Sequence, residues 1–305
     1  MARLFNAYVM VDWSAAQAPK TGKDSIWVGV LKRDIRFRPT FEAHNPPTRR
    51  AAEALLREVL ADLRRRQDRA LVGFDFPLGY PRGAAEALKL KTADDVTPQQ
   101  AMWSYLGAHV VDKADNTNNR FSIAARMNRL ITDEARPFWG APARDAQRWL
   151  SATKPAAGAD DLPALRLTEQ RTQRGRLGAK SVWQLMGAGS VGGQALMGVP
   201  AVKRLADEMD GKALVWPFET GWRAITPADL DGKEALIAEI YPALVPPTPE
   251  PGEVADRAQV RTLCEHFADL DQAGKLGAAF AAPKDVPPED VEAVEREEGW
   301  ILGVA

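Results

Sequence analysis

Residues 7–11 read AYVMV and run straight into Asp12. An unbroken apolar run of this length, rich in β-branched and aromatic side chains, has neither helical nor alternating period and fits a strand buried on both faces. Such a strand needs helices packed above and below it, so the expected class is α/β. Working outward, residues 25–31 (SIWVGVL) read as a second strand. Residues 35–43 (IRFRPTFEA) read as a third, at a sheet edge where Pro39 is tolerable. The short gaps predict a meander. Thr48 is placed to cap a helix running to about residue 67, with Ala52, Leu55, Leu56, Val59 and Leu63 on one face. Residues 70–76 (ALVGFDF) return to the interior-strand pattern, Pro77 stops it, and Asp75 lies one residue from its end.

From residue 79 to about 210 the pattern becomes helical, with helices expected over 97–111, 120–132, 142–150 and 194–209 and a polar, flexible stretch at 151–162. Strands resume at 213–218 (ALVWPF) and 236–241 (LIAEIY). The proline-rich 246–251 (PPTPEP) forms an extended connector. Two helices, 256–273 and 288–302, close the chain, with Pro287 and Pro288 marking the start of the second. The expected architecture is a mixed five- to six-stranded sheet flanked by helices. Residues 1–79 and 211–305 form its core, and 80–210 form a helical insertion or lid.

The 305 residues carry 40 Lys and Arg against 41 Asp and Glu, which excludes a protein acting through overall basic charge. The balance is uneven. Residues 1–79 hold 14 basic and 9 acidic side chains, 80–210 hold 18 and 14, and 211–305 hold 8 and 18. The first two thirds are therefore +9 and the last third −10. The single cysteine, Cys264, excludes an internal disulfide framework, and with three histidines a zinc centre is not expected. No apolar run approaches the ~18 residues of a membrane span, and the N-terminal run is too short for a signal peptide. A cytoplasmic protein without a membrane partner is expected.

Asp12 and Asp75 stand at or near the ends of two interior strands, and Glu239 lies inside the apolar ALIAEIYPAL. Each Asp could simply begin a turn. A buried carboxylate, however, costs several kcal/mol unless it is paired or binds a metal, and Glu239 has no such turn to begin. Three acids on three core strands suggest a shared Mg2+ or Mn2+ site, because hard cations take oxygen ligands. Asp290 and Glu292, with Glu289, could add a ligand from the last helix, although acids gather at helix N-termini in any case.

Four segments in order, VDWS at 11–14, FDFPLGYP at 74–81, KSVWQLMGAGSVGGQALMGVPAVKRL at 180–205 and AEIYPAL at 238–244, resemble domain-of-unknown-function family 429. The resemblance spans most of the chain and implies a ribonuclease H-like fold. It places Asp12 and Asp75 as the first two acids, Glu239 as a third, and Asp290 or Glu292 as a fourth. The Glu-Asp-Val-Glu order of 289–292 departs from the paired aspartates common there. The resemblance also implies that the 180–184 segment faces the acids.

Lys180 and Gln184 would share a face if that segment is helical, where the lysine could hold a phosphate; a solvated lysine is the alternative. Asn119 and Arg120 end a polar run, NTNNR, which could cap a helix or touch a ligand. Gly187, Gly189 and Gly192 spell G-x-G-x-x-G, the fingerprint of dinucleotide sites only when a strand precedes it; here a hinge or mobile loop is the stronger reading. Two functions follow. One is a metal-dependent phosphoryl-transfer enzyme, foremost a nuclease, with Arg33, Arg36, Arg38, Arg49, Arg50 and Arg64 to Arg66 lining a nucleic-acid backbone. The other is a nucleotide or small phosphorylated-ligand binder, kinase-like or a sensor, closed by the helical lid.

Overall fold

The computed structural model describes residues 3–34, 36, 38–158, 161–175 and 177–305. Strands β1 (Ala7–Asp12), β2 (Trp27–Arg33) and β3 (Pro39–His44) form the antiparallel meander. Ile35 and Phe37 of the expected third strand lie outside the described residues; the strand found begins at Pro39, on the sheet edge. Helix α1 (Arg49–Arg65) follows, capped by the Thr48 hydroxyl, which accepts from the Ala51 amide at 3.2 Å. Strand β4 (Ala70–Phe74) then pairs parallel with β1, and β6 (Ala235–Glu239) parallel with β4, leaving β5 (Ala213–Val215) at the far edge. The sheet order is β3-β2-β1-β4-β6-β5.

Both faces of this sheet are covered, as the AYVMV run requires. Ala7, Val9 and Val11 face a core that includes Ala52, Leu56 and Leu63 of α1 and Leu196, Val199 and Val202 of α6 (Gly192–Glu208). Tyr8 and Met10 face the opposite core with Leu263, Cys264 and Phe267 of α7 (Ala255–Gln272). Between β4 and β5 the chain also forms α2 (Ala84–Ala87), α3 (Pro98–His109), α4 (Arg120–Ile131) and α5 (Leu167–Arg174). Tyr80, Trp103, Phe121, Phe138 and Trp183 from this long segment belong to the same apolar cluster as Val9 and Phe74, so it is fused to one face of the sheet. After α7 come α8 (Leu276–Ala279) and α9 (Pro288–Ala293).

Several expected boundaries move for physical reasons. Residues 142–150 form turns, not a helix: of that segment only Ala141 beside it and Leu150 are deeply buried, so no helical apolar face exists. Trp139 instead bridges to Ser151 and Gln184. Helix α5 has no apolar stripe to announce it, because it buries Thr168, Glu169 and Thr172. The last helix is shorter than expected. It passes into a π-helical turn, Val294–Glu298, and stops at Gly299, whose φ of 69° a glycine adopts without strain. No helix among the described residues is long and apolar enough to cross a membrane.

The sheet, the long segment and the C-terminal π-helical turn are tied together by one buried cation. Arg166, fully buried, donates to Glu239 through Nη1 (2.8 Å) and Nη2 (2.6 Å), to Glu169 through Nε (2.8 Å) and Nη2 (2.5 Å), and to the Glu298 carbonyl (2.8 Å). Removing one member of such a group strands the others in a low-dielectric interior. Arg166→Met is expected to lower the unfolding free energy by about 3–5 kcal/mol, measured by urea denaturation. A loss below about 1 kcal/mol would show that the network is not structural.

Candidate active site

The register of β1 on β4 sets Val11 opposite Phe74, and that of β4 on β6 sets Phe74 opposite Glu239. The next residues, Asp12 and Asp75, therefore leave adjacent parallel strands side by side at their carboxyl ends. Side chains alternate faces along a strand. Val11, Phe74 and Glu239 form a row on the α1/α6 face, while Asp12, Asp75 and Ile240 fall on the other, the face covered by α7.

The Asp75 amide donates to the Val11 carbonyl (3.2 Å), and the Trp13 amide donates to Asp75 Oδ1 (2.8 Å), which locks the two chain exits together. The two carboxyls act on each other's ionisation. Burial pushes the Asp12 carboxyl well above the usual range, and the charges of Asp75, Asp256 and Asp24 push it further. Burial likewise raises Asp75 to about 7, against the pull of the Trp13 amide and of Asp12. The charges acting most strongly on Asp12 are all negative, so this is an acidic centre that attracts protons or cations.

Asp12 and Asp75 open into a cleft of about 910 Å3. Asp256, in the first turn of α7, lines it too, and its Oδ2 accepts from the Asp24 amide at 2.6 Å. The opposing wall is the 185–191 loop and the start of α6. Gly192 is required there, since a Cβ would lie 2.2 Å from the Val182 carbonyl oxygen. The helix start is pinned to the exit of β1 by Gln194, whose Nε2 donates to the Trp13 carbonyl at 2.5 Å. Arg120, the first residue of α4, also lines the cleft.

The structure brings together Asp12, Asp75 and Arg120 of the residues singled out from sequence. It does not bring Glu239 to them. That carboxylate points to the other face and is spent on Arg166 and on the Leu78 amide (3.2 Å), so the three-strand carboxylate cluster is corrected to a pair. Asp290 is bound to Arg82, and Glu292, largely exposed, lies 4.0 Å from Arg296. Both sit on α9, whereas the helix that reaches the acids is α7. Segment 180–184 is not helical, so Lys180 and Gln184 do not align. Lys180 is exposed beside Gly189, and Gln184 donates to the Met186 carbonyl (3.3 Å) without lining the cleft. Asn119 is engaged with the His109 carbonyl (3.0 Å) and the Val111 amide (2.8 Å). Among the described residues, no group of three or more His, Cys, Asp or Glu side chains is arranged to hold a metal ion.

Arg49, expected on a surface for nucleic acid, is instead fully buried. It forks onto Asp112 (2.6 and 2.7 Å) and donates to the Ser14 (3.0 Å) and Ala16 (2.8 Å) carbonyls, so it shapes the loop that follows Asp12. Asp256 escaped sequence reading because an acid in the first turn of a helix is commonplace. Only the packing of α7 on the Asp12 face distinguishes it. Comparison with protein-family models, curated proteins and solved structures gives no match for this chain.

The raised carboxyl pKa values carry a stability consequence. Between about pH 4, where a free aspartate ionises, and about 7, the folded protein keeps a proton on Asp75 that the unfolded chain has released. Stability from this group therefore falls as pH rises through that window, and the cost is complete above it. Asp75→Asn keeps an acceptor for the Trp13 amide but carries no charge. The variant is expected to be more stable than wild type at mildly alkaline pH, with the difference vanishing in acid, as read by urea denaturation at both. A wild type that is the more stable form in alkali would contradict the assigned environment.

Proposed function

We propose that the protein is a metal-dependent phosphoryl-transfer enzyme, foremost a nuclease, in which Asp12 and Asp75 hold Mg2+ or Mn2+. The observation that carries this reading is the pair of carboxyls at the ends of adjacent parallel strands, half-buried together with the negative charges of Asp256 and Asp24 acting on them, and open to a cleft. Mg2+ is commonly held by one or two carboxylates, with waters and substrate phosphates completing its shell, so a pair fits. A cation there would also relieve the repulsion between the two acids. When bound, it supplies Lewis-acid stabilisation of phosphoryl oxygens and a more acidic water.

The chain's own groups divide the remaining work. Asp12 and Asp75 must both be ionised to serve as ligands, which their raised proton affinity opposes. The Trp13 amide and the Arg49-braced loop fix where the two carboxyls point. Asp256 adds negative charge from a third element, and Arg120 offers a positive charge inside the same cleft. The meander of three strands followed by parallel β4, with acids at the ends of its first and fourth strands, supports a ribonuclease H-like arrangement. The resemblance to domain-of-unknown-function family 429 leads to the same expectation.

The second reading, a nucleotide or small phosphorylated-ligand binder, draws support from the cleft, whose size suits one small molecule, and from the withdrawal of Arg49 from the surface. Both readings are tested in one experiment. Purified protein is incubated with single-stranded, double-stranded and hybrid nucleic acids and with nucleotides, each with Mg2+ or Mn2+. Cleavage of a polymer is expected, with a loss of at least about a hundredfold in Asp12→Asn and Asp75→Asn. Absence of cleavage, or cleavage that survives both substitutions together, would overturn the nuclease reading. Binding of a nucleotide without turnover would move the assignment to the second.

A further inference from the structure

Arg120 is only 8% exposed, yet it forms no salt bridge among the described residues. Its Nη1 donates to Asn118 Oδ1 at 3.0 Å and its guanidinium lies over the Phe121 ring, 4.2 Å from the centroid. Its Nε is buried and has no hydrogen-bond partner. A buried guanidinium without a carboxylate is costly and leaves a directed donor unused. Burial, with Arg49 and Arg144 acting in the same direction against the charge of Asp145, lowers its proton affinity to about 10, which still leaves it charged at neutral pH.

What Nε faces is the start of α6. A Cβ on Gly193 would lie 3.5 Å from Arg120 Nε, 3.2 Å from Ala15 Cβ and 2.9 Å from the Leu185 carbonyl oxygen. A side chain there would collide with the Leu185 carbonyl and would fill the space beside the arginine Nε at ordinary contact distance. This helix of 17 residues has no side-chain cap. The Gly192 amide donates to the Gln184 carbonyl (2.9 Å) and that of Ala195 to Val191 (2.8 Å). The amides of Gly193 and Gln194 have no acceptor among the described residues. The helix dipole favours an anion at the same point.

We propose that Arg120 and the first turn of α6 form a phosphate subsite, separate from the Asp12 and Asp75 carboxyls, that binds the terminal phosphate of a nucleotide or oligonucleotide. The G-x-G-x-x-G run of Gly187, Gly189 and Gly192 thereby gains a use as the approach to a phosphate-binding helix end, without the preceding strand of a dinucleotide fold. A terminal monoester suits the subsite better than an internal diester. It offers three unbridged oxygens and up to two charges to the guanidinium and the two amides. The inference deepens the phosphoryl-transfer reading by naming what the cleft holds beside the metal.

Binding is measured by calorimetry in chelator, so that no cation takes part, using inorganic phosphate, a nucleoside 5′-monophosphate and a dinucleotide with no terminal phosphate. Phosphate and the monophosphate are expected to bind, the dinucleotide at least about tenfold more weakly. Arg120→Gln and Gly193→Ala should each weaken the monophosphate about tenfold or more, with Arg120→Lys retaining part of the affinity. Asp12→Asn should bind it as well as wild type or better, because a repelling charge is gone. Circular dichroism checks that each variant is folded, and Gly193→Ala, which leaves the arginine in place, serves if Arg120→Gln is not. The subsite is overturned if no phosphate binds, if the dinucleotide binds as well as the monophosphate, or if both folded variants keep wild-type affinity. Failure of metal-dependent turnover with these results intact would remove the catalytic reading and leave the subsite standing.

Discussion

The parallel register of β1 against β4 decides which acids can meet. Because Val11 lies opposite Phe74, the following aspartates emerge in one row, on one face, and within reach of each other. A slip of one residue would send one of them through the sheet. The close approach is helped by Gly73, two residues before Asp75 on the same face: a Cβ there would stand 2.6 Å from Met10 Sδ and 2.7 Å from Ile240 Cγ2. The same rule excludes Glu239, one residue short of that row, and delivers it to Arg166.

Acids withdrawn wholly or partly from solvent in this protein are of two kinds, and the difference is their compensation. Glu239 and Glu169 share the Arg166 guanidinium, and Asp271 accepts from the Leu4 and Phe5 amides (2.9 Å each) and the Tyr8 hydroxyl (2.7 Å). These groups knit distant segments together. Asp12 and Asp75 form no salt bridge among the described residues; Asp75 accepts from the Trp13 amide, and the charges acting most strongly on Asp12 are negative. A site that costs stability while its neighbours contribute to it is the pattern expected where selection acts on chemistry. In the same cleft, Arg120 has the complementary imbalance, a largely buried positive charge with no salt bridge among the described residues.

Much of the sheet was legible because its strands are continuous apolar runs, and a run such as AYVMV has few other fates. Asp12 and Asp75 could be singled out because they interrupt those runs. Helix 142–150 failed, and α5 was missed, because there burial involves polar side chains, and hydrophobic periodicity is blind to them. The face on which an acid lies could not be read without the register, which is why Glu239 was grouped with acids it never meets. Asp256, Arg49 and the helix start beside Arg120 depend on α7, α1 and α6 docking around one end of the sheet. No local pattern records that docking.

The central claim is that Asp12 and Asp75 together hold a divalent cation. It is tested most directly by titrating Mn2+ into the protein and following bound metal by electron paramagnetic resonance from mildly acid to mildly alkaline pH. The account predicts saturable binding of Mn2+ that weakens as the pair takes up a proton near neutrality and is lost in Asp12→Asn and in Asp75→Asn. Binding that is indifferent to pH and to both substitutions would contradict it.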